Sequence, residues 1–212
     1  MAVPKLRASL QLPRMRALAL DFFAGDSPRP HQQAALPPLL ESWIDPKRKI
    51  RVSEAPDWVR LERACPGDPL FRAIAGSLSG KAFQAALQHG DLAPWNIKVS
   101  PAGAWTVLDW ERGELAGIPG WDWFHYIIQS AILVGRLPTA VLVQRVEGLL
   151  GSAAFQRYAE RAGIRGCERE LLLAYLLNMA EVIKPSEGLA ETRELLQSLA
   201  GRWQAGDTPA AR

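Results

Sequence analysis

The sequence has few cysteines, no long apolar run and little net charge, and each shortage removes a class of protein. Its two cysteines, Cys65 and Cys167, lie far apart and outside any CxxC pair, so neither a zinc ribbon nor a disulfide scaffold is supported. No apolar run approaches the roughly 18 residues that a membrane span requires. The 25 basic and 22 acidic residues leave a net charge of +3, too small to indicate nucleic acid as partner. We therefore expect a chain of the reducing cytoplasm, with no membrane or nucleic-acid partner.

The composition itself is that of an ordinary globular domain. With 212 residues, 48% of them hydrophobic and 22% charged, the chain can bury roughly two-thirds of its unfolded surface in one core. The first twenty residues are basic, with Lys5, Arg7, Arg14 and Arg16 and no acidic residue before Asp21. A targeting segment is one interpretation, but the apolar stretch is short and no cleavage site follows. A basic flank, or a start inside a longer ancestral frame, is favoured.

Proline and arginine dominate the amino-terminal third, residues 1–66. Prolines punctuate this part at short intervals, which favours short helices over Leu36–Trp43 and Asp57–Ala64. Lys49–Ser53 is predicted to form a short strand. We interpret residues 1–66 as a separate, reduced lobe.

Residues 67–205 carry the stronger secondary-structure signals. Apolar residues at helical spacing predict a helix over Asp68–Phe83. Short strands are predicted after it, the last two joined into a hairpin by a Pro-Ala-Gly turn: Ala85–Gln88, Ile97–Ser100 and Ala104–Trp110. The remainder is predicted to be helical: Asp122–Val134, Pro138–Leu150, Ala153–Ala162, Glu168–Ile183 and a final helix from Leu189 to Trp203. Residues 206–212 are predicted to form a frayed tail. The predicted class is therefore α+β, mostly α.

Oxygen-bearing side chains gather around one loop and the hairpin that follows it. In the segment LQHGDLAPWNI, residues 87–97, Asp91 follows a short strand and Asn96 comes five residues later. Asp109 lies at the end of the hairpin's return strand. Hard cations such as Mg²⁺ prefer one or two carboxylates together with phosphate oxygens and waters. Phosphoryl transfer needs such a cluster, because its catalysis is mainly positioning and charge neutralisation.

Three motifs in register resemble the aminoglycoside phosphotransferase and choline kinase-like family, a branch of the protein-kinase-like fold. They are the H-G-D-x-x-x-x-N run at residues 89–96, the L-D-W-E run at 108–111 and the G-x-P-x-x-D run at 117–122. The resemblance covers residues 85–135 well. It implies a kinase-like helical large lobe, with a catalytic loop at 87–97 and a metal-binding hairpin at 97–111.

The resemblance also implies a role for each motif residue. Asp91 would orient the acceptor hydroxyl and accept its proton, and Asn96 and Asp109 would hold the Mg²⁺ of bound ATP. His89 would brace the catalytic loop by hydrogen bonds. Asp122 would cap its helix and tie that helix back to the loop. The implied reaction is phosphorylation of a small molecule's hydroxyl, with ATP and Mg²⁺ as cofactors.

Several interpretations stay open beside these roles. Glu111 either contacts the site or is a solvated acid. A metallohydrolase would need more ligands, and the remaining histidines, His31 and His125, lie in unrelated contexts. The tryptophans near the motifs could stack on a ligand, although packing is favoured: Trp95, Trp105, Trp110, Trp121 and Trp123.

The nucleotide-binding parts of a kinase are not apparent in the sequence. No glycine-rich hairpin precedes Asp91, and no lysine there lies in a convincing strand with a partner glutamate. The four upstream lysines are Lys5, Lys47, Lys49 and Lys81, of which Lys49 is the least unsuitable. The amino-terminal lobe is therefore expected to be absent or much reduced. The chain would then be an enzyme with a minimal nucleotide lobe or with one supplied by a partner chain. The alternative is a non-catalytic or truncated lobe that serves as a binding or scaffolding module.

Overall fold

A computed structural model describes residues 5–206 of the chain. Within that range the fold is α+β and mostly α, as the sequence predicts, with eight α-helices, three small antiparallel sheets and roughly 53% helix. No helix in residues 5–206 is both long and apolar enough to cross a bilayer.

The basic amino terminus forms a hairpin that the sequence analysis did not predict. Strands β1 (Leu6–Leu12) and β2 (Met15–Leu20) pair antiparallel, and every residue of both strands is exposed. The pattern missed was the alternation of apolar and polar residues over Leu6–Leu12, before the Pro13-Arg14 turn. Further along, Asp26 forms a two-way backbone bridge with Val99, which ties this part of the chain to the middle of the molecule.

The next elements follow the predictions with shifted ends. Helix α1 (Leu36–Ser42) precedes strand β3 (Ile44–Arg51), which starts five residues before the predicted strand. Helices α2 (Pro56–Ala64) and α3 (Pro69–Leu78) follow, and the Asp68 carboxylate caps α3 by accepting the Phe71 N–H at 2.8 Å. Helix α3 was predicted to continue to Phe83, which is wrong. It ends at Leu78 because Gly80 adopts a left-handed backbone (φ 72°) that turns the chain into the next strand.

Two small sheets hold the loop of interest between them. Strand β4 (Ala82–Gln88) lies in the centre of a three-stranded sheet, between β3 and the later β7. Strands β5 (Ile97–Val99) and β6 (Trp105–Val107) form the predicted hairpin, although β6 ends three residues before the predicted end. Strand β7 (Glu114–Gly117) was not predicted, because four residues give too short an alternation.

The carboxyl-terminal helices lie where their apolar stripes predict. They are α4 (Trp121–Gln129), α5 (Thr139–Gly151), α6 (Ala153–Ala162), α7 (Glu168–Asn178) and α8 (Leu189–Gly206). A π-helical turn extends α4 over Ser130–Val134, and another extends α7 over Met179–Ile183. The predicted tail begins at Gly206, and its residues 207–212 lie outside the described part of the chain.

Helix α4 is the most deeply buried element next to the loop of interest. Eight of its nine residues are buried, and its aromatic side chains pack against those of α6 and α7. Trp121 and Trp123 therefore belong to the core, as the packing interpretation expected, whereas Trp95 remains 39% exposed. Tight packing fixes the side chains of α4 in place. This helix is consequently a rigid support for whatever lies against its first turns.

Candidate active site

The second residue of the loop after β4 is Gly90, at a position where any other residue would be strained. Gly90 has a φ of 79°, and a Cβ there would lie 2.8 Å from the backbone oxygen of Arg112. A side chain at this position would therefore meet both a left-handed backbone and a backbone collision. Gly90 lets the loop lie directly against the segment that follows β6.

His89 is buried and uses both ring nitrogens inside the loop. Its Nε2 lies 2.6 Å from the backbone oxygen of Leu108, and its Nδ1 accepts the N–H of Asp91 at 3.2 Å. Because Nδ1 accepts, Nε2 carries the proton and donates to Leu108. Burial lowers the pKa of His89, which keeps the ring neutral. The side chain thus joins the loop to the end of the β5–β6 hairpin, in the bracing position that the resemblance implies.

Asp122 ties helix α4 to the same loop. Its carboxylate accepts the backbone N–H of His89 at 2.7 Å and that of Gly90 at 2.9 Å. The expected capping role is wrong, because Gly120 occupies the N-cap position and the Asp122 side chain bonds the loop instead of its own helix. Burial raises the pKa of Asp122 to about 7, against the two N–H groups, which lower it.

Asp91 is half-buried, and a separate side chain bonds each of its carboxylate oxygens. His125 Nε2 lies 2.9 Å from Oδ1, and the Asn96 amide nitrogen lies 3.2 Å from Oδ2. Burial acts to raise the pKa of Asp91. The hydrogen bond from His125, the charge of Arg112 and the hydrogen bond from Asn96 outweigh it, so the pKa lies below its ordinary value. The carboxylate is therefore ionised at neutral pH.

The two predicted metal ligands lie at the base of the β5–β6 hairpin. The Leu108 N–H donates to the Asn96 backbone oxygen at 2.8 Å, so Asp109 is one residue beyond this backbone contact. The Asn96 amide nitrogen donates to the Asp91 backbone oxygen at 2.8 Å as well as to its carboxylate, so the side-chain oxygen is the atom available to a cation. Asp109 is exposed and adopts a left-handed backbone (φ 62°), a strained conformation that is concentrated at functional sites.

This pair fits Mg²⁺ but is not a metal site by itself. No group of three or more His, Cys, Asp or Glu side chains that could hold a metal occurs in residues 5–206. An amide oxygen and one carboxylate are suited to Mg²⁺ that keeps waters and phosphate oxygens as its other ligands. The residues present therefore fit a metal that arrives with a nucleotide.

His125 was misjudged in the sequence analysis. It was set aside as lying in an unrelated context, yet its ring is buried and contacts Asp91 directly. The spacing of three residues from Asp122 was the signal that could have revealed it. Residues i and i+3 of a helix share a face, so whatever Asp122 holds also lies near His125.

A cavity of about 390 Å³ opens beside the loop. Its lining comes from α2, from the segment before β7, and from α4 and α7. It includes Gly90, which precedes Asp91, and His125, which contacts Asp91, whereas Asp91 itself is not among the lining residues. Glu111 and Arg112, both exposed, also line the cavity. Asn178 lines it as well, and its buried side-chain oxygen has no hydrogen-bond partner among the described residues.

A fixed polar network closes the opposite side of this cavity. Arg60 bonds Asp57 at 2.6 Å and Glu114 at 2.8 Å, and the buried Gln88 amide donates to Asp57. Gln88 also accepts the Ile118 N–H at 2.9 Å through its side-chain oxygen. The end of β4 is thereby fixed immediately before the His89 loop.

No lysine of a strand in residues 5–206 pairs with a glutamate. Lys49 is exposed on β3, and Lys81 lies immediately before β4, where its ammonium donates to the Cys167 sulfur at 2.9 Å. The chain matches no protein-family model and resembles no curated protein significantly.

Proposed function

We propose that this chain is a phosphotransferase lobe of the aminoglycoside phosphotransferase and choline kinase-like kind, which transfers a phosphoryl group from Mg-ATP to a hydroxyl of a small molecule. One observation carries the proposal: Asp91 and Asn96 are hydrogen-bonded to each other, and Asp109 lies at the base of the hairpin that follows them. A base and two oxygen ligands in this arrangement are what phosphoryl transfer requires.

Asp91 is the base in this proposal. Its carboxylate is ionised at neutral pH and half-exposed, so it can accept a hydrogen bond from an acceptor hydroxyl. It holds that hydroxyl for attack and takes its proton as the new oxygen–phosphorus bond forms and the bond from the γ-phosphorus to the ADP oxygen breaks, which releases ADP. Asn96 and His125 keep the carboxylate in one orientation, because each bonds a different oxygen.

Asn96 and Asp109 would hold the metal, through an amide oxygen and a carboxylate. The bound Mg²⁺ supplies neutralisation of the charge on the phosphate oxygens. The left-handed backbone of Asp109 directs the chain away from β6 at this point, and the hydrogen bond from Leu108 to Asn96 fixes the base of the hairpin, where both ligands lie.

The cavity beside the loop is the proposed acceptor site. Its volume of about 390 Å³ lies in the range of small-molecule pockets. Its lining is rich in charged and amide side chains, among them Glu111, Arg112 and Asn178. A polar acceptor with several hydrogen-bonding groups fits such a lining better than an apolar one does.

The exposed amino-terminal hairpin favours a partner chain as part of the proposal. All residues of β1 and β2 are exposed, including the large apolar side chains Leu10, Leu12 and Met15. A lone two-stranded hairpin is marginally stable in water. A partner chain that completes the nucleotide lobe would cover this surface. Without one, the alternative is a non-catalytic lobe that binds or scaffolds.

The experiment is an ADP-release assay with Mg-ATP and a panel of polyols, amino alcohols and sugars. The matched pair is Asp91→Asn against Asp45→Asn, since Asp45 lies exposed on β3. We expect acceptor-dependent release that Asp91→Asn abolishes and Asp45→Asn leaves intact. Equal release from a folded Asp91→Asn variant would contradict the role of Asp91.

A further inference from the structure

We propose that His125 is the positioning residue for Asp91, and that Tyr175 holds its imidazole in the tautomer that does so. The inference rests on the proposed function, because it takes Asp91 to be the base. It adds two buried residues of the helical core to the site.

The geometry forms one continuous chain of three side chains. His125 Nε2 lies 2.9 Å from the Oδ1 of Asp91, and His125 Nδ1 lies 3.2 Å from the hydroxyl of Tyr175. His125 is 4% exposed and Tyr175 is 3% exposed, so both rings are buried. The two rings meet edge to face, with centroids 6.0 Å apart.

The contacts at the two ring nitrogens assign the proton of His125. The ionised Asp91 carboxylate can only accept a hydrogen bond, so Nε2 carries a proton and donates it to Oδ1. Burial raises the pKa of Tyr175 far above its ordinary value, so its hydroxyl keeps its hydrogen and can donate it to an unprotonated Nδ1. This donor holds the ring in the Nε2-protonated tautomer.

Helix α4 supports the catalytic loop at two points through one turn. Asp122 holds the backbone at His89 and Gly90, and His125 holds the carboxylate at Asp91. A base on a loop acts only while its lone pairs point at the acceptor hydroxyl. Misplacement of the base by about 1 Å can lower the rate about 100-fold. Because α4 is buried and tightly packed, it transmits the rigidity of the core to Asp91.

The first test is spectroscopic and needs no substrate. Nitrogen-15 NMR of the histidine rings in the full chain should show the His125 proton on Nε2 and an Nδ1 that accepts a hydrogen bond. Tyr175→Phe should shift the Nδ1 resonance, since it removes the donor to that nitrogen. In His125→Leu, scalar couplings should show that Asp91 no longer occupies a single χ1 rotamer. A charged or Nδ1-protonated ring, or an unchanged Asp91 rotamer in His125→Leu, would overturn the inference.

The second test separates positioning from folding. His125→Leu should lower the kcat of ADP release roughly 10- to 100-fold and leave the KM for Mg-ATP within about two-fold. His125→Gln, which keeps a side-chain N–H donor, should recover part of that loss. Circular dichroism and thermal melting establish that both variants fold. An unchanged kcat in folded His125→Leu would overturn the inference.

The outcomes of the two tests distinguish a failure of this inference from a failure of the proposed function. If the wild type releases no ADP with any acceptor, the proposed function fails, and the NMR result still decides whether His125 holds Asp91. If the wild type turns over and His125→Leu does so equally well, the proposed function stands and the role of His125 does not.

Discussion

Asp122 accepts the backbone N–H of His89 at 2.7 Å, which joins the first turn of α4 to a loop 33 residues earlier in the chain. The same carboxylate takes the N–H of Gly90. One buried acid therefore holds the start of the segment that carries Asp91 and Asn96. The strength of this attachment can be measured without knowledge of the substrate.

Replacement of Asp122 by alanine should destabilise the protein and release the loop. Two buried N–H groups lose their acceptor, at a cost of about 1–3 kcal/mol each. Denaturant unfolding should show the loss, and hydrogen exchange at His89 and Gly90 should accelerate more than exchange in α8. Glu191→Ala is the control, since Glu191 is an exposed acid in the first turn of α8. Equal effects of the two substitutions would contradict the role of Asp122.

The raised pKa of Asp122 predicts a pH dependence of stability. Its carboxyl has a pKa near 3.8 when exposed and about 7 in the folded protein, so the folded state binds the proton more tightly. The contribution of Asp122 to the free energy of unfolding is therefore fully present below about pH 4. It falls as the pH rises to about 7 and is constant above that. The difference between wild type and Asp122→Asn, followed by urea unfolding from pH 4 to 8, isolates this slope. A difference that does not change with pH would contradict it.

Gly90→Ala should be more harmful than a comparable substitution elsewhere. Gly80 has a similar φ of 72° but open space around its Cα, whereas a Cβ on Gly90 would collide with Arg112. Gly80→Ala should cost about 1 kcal/mol, from the backbone conformation alone. Gly90→Ala should cost about 1–3 kcal/mol more, from the added crowding. Thermal unfolding of both variants checks the difference, and equal losses would show that the contact with Arg112 is not tight.

The sequence predicts the helical part of this fold well because its signals are long. The apolar residues of α7 and the segment of α6 between its capping residues each span ten residues or so, which is too long for the pattern to arise by chance. Strand β7, with four residues, was missed, as were β1 and β2 of the exposed amino-terminal hairpin. The end of α3 was misplaced because Gly80, which turns the chain, follows an apolar pattern that continues as β4.

The candidate site likewise contains residues that the sequence indicates and residues that it does not. The residues of the loop and hairpin, from His89 to Asp109, are close in sequence, so their motif indicates their proximity. His125 reaches Asp91 only because α4 packs against the loop, and Tyr175 reaches His125 only because α7 packs against α4. Contacts of this kind depend on tertiary packing, which a single sequence shows only through hints such as the spacing of Asp122 and His125.

Removal of the first twenty residues should leave the rest of the fold intact. Both strands of the hairpin are fully exposed, so their deletion takes little apolar surface from the core. The bridge between Asp26 and Val99 remains in the shortened chain. We expect the melting temperature to change by no more than about 4 °C, roughly what 1 kcal/mol produces in a domain of this size. A collapse of the cooperative transition would show that the hairpin supports the core.

The central claim is that Asn96 and Asp109 form the metal end of a nucleotide site next to Asp91. The most direct measurement is a titration of the full chain with Mg-ATP, followed by the backbone amide signals of residues 89–111, beside the same titration of Asp109→Asn. The account predicts saturable shifts at Asn96 and Asp109 that need Mg²⁺ and disappear in the folded variant. Shifts that persist in Asp109→Asn, or their absence in the wild type, would contradict it.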